Sequence, residues 1–136
     1  MKRGLASVLI VDDRDADLLA TSRLLESAGI AGPHLTAADG DAAKRILAEK
    51  GPSICVVFLD LRMPDVDGLM LLTWVREQPN LAHLKIVMIT GDDDPEHIDS
   101  ARRRGADGYF TKYPSAPKLA AILSGIAPEL FAADRA

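Results

Sequence analysis

The sequence predicts an α/β fold: a five-stranded parallel sheet, doubly wound, with helices on both faces. Three observations predict it. Short apolar runs of strand length alternate with longer amphipathic runs, five times over. The third apolar run, Ile54 to Leu59, has no polar position, the pattern of a strand buried on both faces. The connections between successive strands are long enough to hold a helix, and a helical crossover returns the chain to a parallel neighbour.

The elements follow in order. Val8-Leu9-Ile10-Val11 is the first strand, ended by Asp12. A helix from about Asp15 to Ala28 sets Leu18, Thr21, Leu25 and Ala28 on one face, and Gly29 stops it. His34 to Ala37 make a short second strand. Asp39-Gly40-Asp41 caps the second helix, on which Ala43, Ile46, Leu47 and Lys50 share a side; Gly51-Pro52 ends it. After the central strand, a loop holding Pro64 and Gly68 leads to a third helix from Leu69 to about Glu77, ended near Pro79. Lys85 to Thr90 is the fourth strand. Asp94-Pro95 reads as N-cap and first-turn proline of a helix that reaches Arg104 and Gly105. Tyr109-Phe110-Thr111 is the fifth strand, and Leu119, Ile122, Leu123 and Ile126 give the face of the last helix.

Five βα units in a row fit the flavodoxin-like strand order 2-1-3-4-5. No repeat, low-complexity tract or linker divides the chain. It reads as one domain over residues 1–136, with a core at about 5–126 and an alanine-rich tail, 127–136, expected to fray.

Composition narrows the functional classes. The 136 residues, 48% hydrophobic and 26% charged, suit a single globular domain. Sixteen basic against twenty acidic residues give a net charge of −4, which argues against a nucleic-acid surface; Arg102-Arg103-Arg104 is too short a basic run to make one. The lone cysteine, Cys55, excludes an internal disulfide and sits in an apolar strand, where it reads as a small buried hydrophobe. Met1-Lys2-Arg3-Gly4 is too short for a signal peptide, and no apolar run approaches the roughly 20 residues of a membrane helix. The expected location is the cytoplasm, with neither nucleic acid nor membrane as partner.

The polar residues collect at strand ends. Asp12 and Asp13 follow the first strand, Asp60 ends the third, Thr90 ends the fourth and Lys112 follows the fifth. In a parallel sheet these carboxyl ends share one edge, where ligands bind in such folds. Two like charges about 4 Å apart repel by on the order of 4 kcal/mol at an effective dielectric of about 20. Three clustered carboxylates therefore call for a counter-charge, and Mg2+, a hard cation with oxygen ligands, supplies it. Lys112 adds a compact positive charge. Such a site suits a phosphoryl group, attacked in line by a carboxylate while positive charge neutralises its other oxygens. Each residue alone reads as a cap, a turn or a solvated side chain; their conjunction at one edge is the signal.

These segments, Val8-Leu9-Ile10-Val11-Asp12-Asp13, Phe58-Leu59-Asp60-Leu61-Arg62-Met63-Pro64-Asp65-Val66-Asp67-Gly68, Val87-Met88-Ile89-Thr90-Gly91 and Gly105-Ala106-Asp107-Gly108-Tyr109-Phe110-Thr111-Lys112, resemble the receiver domain of bacterial two-component response regulators. The resemblance implies that Asp60 is the phosphoacceptor. It implies Mg2+ bound directly by Asp13, mostly through water by Asp12, and also by Asp60 and the Arg62 backbone carbonyl. Thr90 and Lys112 would contact the phosphoryl group, and Tyr109 would turn inward as Thr90 moves, completing a switch. The implied donor is a phosphohistidine on a sensor histidine kinase or a histidine phosphotransfer protein. The implied output is contact with a downstream protein, or with a second copy in a homodimer; the domain is no enzyme beyond its own phosphorylation and dephosphorylation. Only ten residues follow Ile126, which favours protein contacts over an attached DNA-binding module.

One departure stands out. The family usually carries proline directly after the lysine; here Tyr113 follows Lys112 and Pro114 comes one later, so the loop into the last helix is expected to be rearranged. This feature and Asp17 are similar to small response regulators that serve bacterial phytochrome kinases. Other positions have two open readings. Asp92-Asp93-Asp94 either caps the fourth helix or tunes phosphoaspartate hydrolysis. Arg62 either shields the phosphoryl group or lies in solvent, and Tyr109 is either the switch or a half-buried strand aromatic. Arg102 to Arg104 suit a helix C-terminus. His34, His83 and His97 lack metal-ligand spacing, and Trp74 belongs at the periphery. Two further functions are weighed: a degenerate receiver that only binds, and a Mg2+-dependent phosphohydrolase. The latter needs an acid two residues after the nucleophile, where Arg62 stands.

Overall fold

β-branched and aromatic residues take four of the six positions of Ile54–Leu59 (β3), and the strand is buried at every position. In the computed structural model, which describes residues 7–63 and 67–132, β3 is the centre of the sheet. Ser7–Val11 (β1) and Lys85–Thr90 (β4) flank it in parallel, pairing Ile10 with Phe58 and Phe58 with Val87. Leu35–Ala37 (β2) and Gly108–Thr111 (β5) form the edges. The order is β2-β1-β3-β4-β5 with every pair parallel, as the alternation predicts.

The helices are Asp15–Ser27 (α1), Gly40–Lys50 (α2), Gly68–Arg76 (α3), Pro95–Arg103 (α4), Ala116–Ile126 (α5) and the short Glu129–Ala132 (α6). Successive strand residues point to opposite faces, so the sheet feeds two cores. Leu9, Val11, Val57, Leu59, Ile86 and Met88 meet α2, α3 and Ala101 of α4. Val8, Ile10, Val56, Phe58, Val87 and Ile89 meet Leu25 of α1 and Leu119 and Leu123 of α5. Cys55 is buried in this second core and its thiol is pushed up to about 11, mainly by that burial. Asp39 accepts from Ala42 N at 2.7 Å, and Asp94 accepts from Glu96 N at 2.9 Å, as their positions before the helices predict. Each cap contributes about 1 kcal/mol. Trp74 packs at the rim of the first core with Lys44 Nζ 5.1 Å above its ring.

Four expectations need correction or a limit. Gly68 is not in the loop: Asp67 caps α3 through Met70 N at 2.9 Å, and Gly68 is the first helical residue. Ile122 is 39% exposed. At about 100° per residue it lies about 60° to one side of Leu119, whereas Leu123 and Ile126 stay within about 40°. Part of the tail is helical rather than frayed, because Leu130 in α6 is buried in the second core. Residues 133–136 and the loop residues Pro64, Asp65 and Val66 lie outside the described residues. Among those described, no helix is long and apolar enough to cross a membrane.

Candidate functional site

Ladder hydrogen bonds set the register of the site. Asp12 N donates to the Ala37 carbonyl at 3.1 Å, Asp60 N to the Val11 carbonyl at 3.0 Å and Lys112 N to the Thr90 carbonyl at 2.7 Å. Each site residue thus sits one step past its strand, tied to a neighbour. Asp12, Asp13 and Asp60 bring carboxylate oxygens within 4.8 Å of one another, as predicted. Asp12 and Asp60 are buried, and Asp13 is exposed.

Lys112 is the counter-charge. Its Nζ lies 2.7 Å from Asp12 Oδ2, 3.2 Å from Asp17 Oδ2 and 3.6 Å from Asp60 Oδ2. Burial favours its neutral form, but the Asp12 bond and the Asp60 and Asp12 charges outweigh that and push it up to about 12. It is therefore an ammonium throughout the physiological range. Asp12 shows the opposite balance: burial raises its carboxyl above the usual range, although Lys112 and the Arg14 N–H pull it back.

Thr90 is buried, and its hydroxyl accepts from Asp92 N at 3.3 Å. It lines a crevice of about 430 Å3 with Asp13, Asp17, Asp60 and Lys112. Tyr109 is half-buried, and its hydroxyl donates to the Asp92 backbone carbonyl at 2.6 Å. Burial, then the Asp92 and Asp60 charges, push that phenol up to about 12. Four predicted residues, Asp13, Asp60, Thr90 and Lys112, thus line one crevice, with Asp12 buried beside it against Lys112, and Tyr109 is tied to the loop that follows Thr90.

Arg62 divides its groups. Its backbone N lies 3.4 Å from Asp60 Oδ1. Its guanidinium turns to Asp92 instead, with Nε at 3.1 Å and Nη2 at 2.9 Å from Oδ2. The triple aspartate divides likewise. Asp94 is the cap, while Asp92 is 7% exposed and gathers Arg62, His97 Nδ1 at 2.7 Å and the Asp94 N–H at 2.9 Å. The sequence carries one cue to this, Pro95, which makes Asp94 the N-cap and leaves Asp92 for another task. His34 and His83 instead bond backbone carbonyls, at Ile30 and at Gly51 and Ile54.

Burial pushes the Asp92 carboxyl up, but the Asp94 N–H, His97 and Arg62 more than offset it and hold it below its ordinary 3.8. A depressed folded value means stability that is present above the unfolded value and lost as pH falls through the folded one. Asp92→Asn is expected to lower stability at pH 7 by about 1.5–3 kcal/mol, the range for bonds to a charged group. The gap to wild type should narrow below pH 3.8. Urea unfolding at pH 7 and pH 3 measures this, and a constant gap counts against it.

Tyr113 reaches back over the crevice. Its hydroxyl donates to Asp17 Oδ1, and this bond holds the Asp17 carboxyl below the usual range. Burial and the same bond push the Tyr113 phenol up to about 12. The Lys112–Tyr113 peptide is cis, and α5 begins after the Ser115 cap.

Comparisons with known proteins agree with this geometry. Residues 8–124 match the response regulator receiver domain family. The two-component response regulator ORR8 of Oryza sativa subsp. indica is 30% identical over 105 residues, 77% of this chain and 84% of that protein. The osmosensing histidine protein kinase SLN1 of Saccharomyces cerevisiae is 29% identical over 119 residues; the match covers 86% of this chain and only 10% of the kinase. A crystal structure of a response regulator receiver domain protein from Clostridium thermocellum superposes with a TM-score of 0.79 at 29% identity, covering 92% of this chain and 96% of that one. With five parallel strands in this order and an acidic crevice at their carboxyl ends, the chain belongs to the response regulator receiver domains, the signalling switches of two-component systems.

Proposed function

We propose that this receiver accepts a phosphoryl group on Asp60 from a phosphohistidine, on a sensor histidine kinase or a histidine phosphotransfer protein, and signals through protein contacts. The observation that carries this reading is the convergence of three carboxylates and one ammonium at the strand ends. The all-oxygen donor set fits Mg2+, with Asp12, Asp13, Asp60 and the Arg62 carbonyl as its holders. Bound there, Mg2+ supplies positive charge toward the phosphoryl oxygens.

The chain's own residues do the rest. An Asp60 carboxylate oxygen attacks phosphorus; the P–N bond breaks, and its electron pair leaves with the imidazole nitrogen, which takes a proton from solvent. Lys112 faces the phosphoryl oxygens and stabilises the charge they carry. The Thr90 hydroxyl donates to one of them. Phosphorylation adds about −1.5 to −2 charges, enough to draw both groups in. Movement of Thr90 shifts the segment to Asp92, whose carbonyl holds the Tyr109 hydroxyl. The charge event thereby repacks the face made by α4 and β5. Hydrolysis resets the switch: water attacks phosphorus, the acyl phosphate bond breaks, and Asp60 returns as a carboxylate with release of inorganic phosphate.

The output partner is a downstream protein or a second copy of the chain, in the cytoplasm. Asp17 and Tyr113 support pairing with a phytochrome-type kinase. Intact-protein mass after incubation with acetyl phosphate tests the reading. A gain of one phosphoryl group that requires Mg2+ supports it, and no gain from acetyl phosphate or from candidate kinases overturns it. Lys112→Ala is expected to weaken switching more than metal binding. The phosphorylation-dependent gain in partner affinity should fall about tenfold, the worth of one charge-assisted bond. Calorimetry with Mg2+ and with partner separates the two effects, and an unaltered gain would count against the role of Lys112.

A further inference from the structure

Lys112 has three N–H donors and three carboxylates around it. Two of these, Asp12 and Asp60, belong to the set that would hold the metal and the phosphoryl group. Asp17 does not: it stands outside the cluster of Asp12, Asp13 and Asp60. It lies in the first turn of α1, where a carboxylate is ordinarily free to rotate. Here it is held at both oxygens. Oδ1 accepts the Tyr113 hydroxyl, while Oδ2 lies 3.2 Å from Lys112 Nζ and 3.5 Å from Arg14 Nε. Tyr113 is the residue after Lys112, so the chain that delivers the ammonium also fixes its counter-ion.

A cation shared by Asp12 and Asp60 weakens their hold on Lys112, because it neutralises them and repels the ammonium. The flexible four-carbon stem of lysine then needs another anchor to stay in the crevice. Asp17 remains available for that task. We propose that Tyr113 and Asp17 form a clamp that keeps the Lys112 ammonium in place when the metal site is filled, making both positioning residues for phosphoryl transfer to Asp60. The role in transfer rests on the phosphoacceptor reading above; the clamp itself does not.

The test uses the full chain saturated with Mg2+, as wild type, Tyr113→Phe, Asp17→Asn and the double variant. The first readout is acylation of the Lys112 amine by acetic anhydride, quantified by peptide mass spectrometry against exposed Lys118. Loss of the clamp should raise Lys112 labelling about tenfold or more, the worth of one hydrogen bond to a charged group. The double variant should label no faster than Asp17→Asn, since both act through one contact. The second readout is phosphoryl uptake from acetyl phosphate. Its maximal rate should fall about tenfold in Tyr113→Phe, while Mg2+ affinity and melting temperature hold, a split that general structural damage does not produce. Unchanged labelling in Tyr113→Phe, or additive effects in the double variant, overturns the clamp. Raised labelling with an unchanged uptake rate overturns its role in transfer. Raised labelling in a protein whose wild type takes up no phosphoryl group leaves the clamp standing and overturns the phosphoacceptor reading instead.

Discussion

Asp60→Asn is expected to abolish phosphoryl uptake while leaving the fold standing. Asparagine has the size of aspartate and keeps one carbonyl acceptor, enough for either Lys112 or the Arg62 N–H, which lie 3.6 Å from Oδ2 and 3.4 Å from Oδ1 of Asp60. It lacks the anionic oxygen that attacks phosphorus. Removing one of three carboxylates within 4.8 Å also relieves repulsion. At an effective dielectric of about 20, each close pair costs on the order of 4 kcal/mol before counter-charges act, so the variant should be at least as stable as wild type. Intact mass after acetyl phosphate and Mg2+ should show the gain in wild type and none in the variant, with an equal or higher urea midpoint. A variant that still gains one phosphoryl group would remove Asp60 from its assigned role.

Gly68→Ala carries the largest expected loss of stability. A Cβ at residue 68 would stand 2.2 Å from the Asp60 carbonyl oxygen and 2.8 Å from Leu61 Cα. Both are backbone atoms at the end of β3, and neither can rotate aside. Gly68 N also donates to the Leu61 carbonyl at 2.7 Å, so the start of α3 is stitched to the strand that presents Asp60. Overpacking costs about 1–3 kcal/mol where side chains give way, and a clash with backbone belongs at or above the top of that range. The displaced Asp60 should also slow phosphoryl uptake. Gly91→Ala is the control: nothing lies within 4 Å of its added Cβ, and its midpoint should stay near wild type. Equal urea midpoints for the two variants would refute the close approach at Gly68.

Much of this site was legible before the fold was known, for a geometric reason. Apolar periodicity is local, so it reports strands and helices without tertiary information. Helical crossovers make the sheet parallel, and a parallel sheet sends every strand's carboxyl end to one edge. Asp12, Asp13, Asp60, Thr90 and Lys112 could therefore be assembled from their positions along the chain alone. Their roles came from the resemblance, which rests on the segment around Asp60 above all.

What stayed hidden depends on distances across the fold. Nothing local distinguishes Asp92 from Asp93; burial against Arg62 and His97 does. Gly68 reads as a turn glycine until α3 is seen pressed against the end of β3. Ile122 fits the apolar spacing of α5, yet its face turns to solvent. Asp17 and Tyr113 are 96 residues apart and bond only because α1 and the loop after β5 border one crevice. The sequence by itself determined the elements, their order and the edge at which charge collects, because each follows from short-range pattern and chain connectivity. Tertiary structure alone decided which charge pairs with which, since that choice turns on a few ångströms between segments that are remote along the chain.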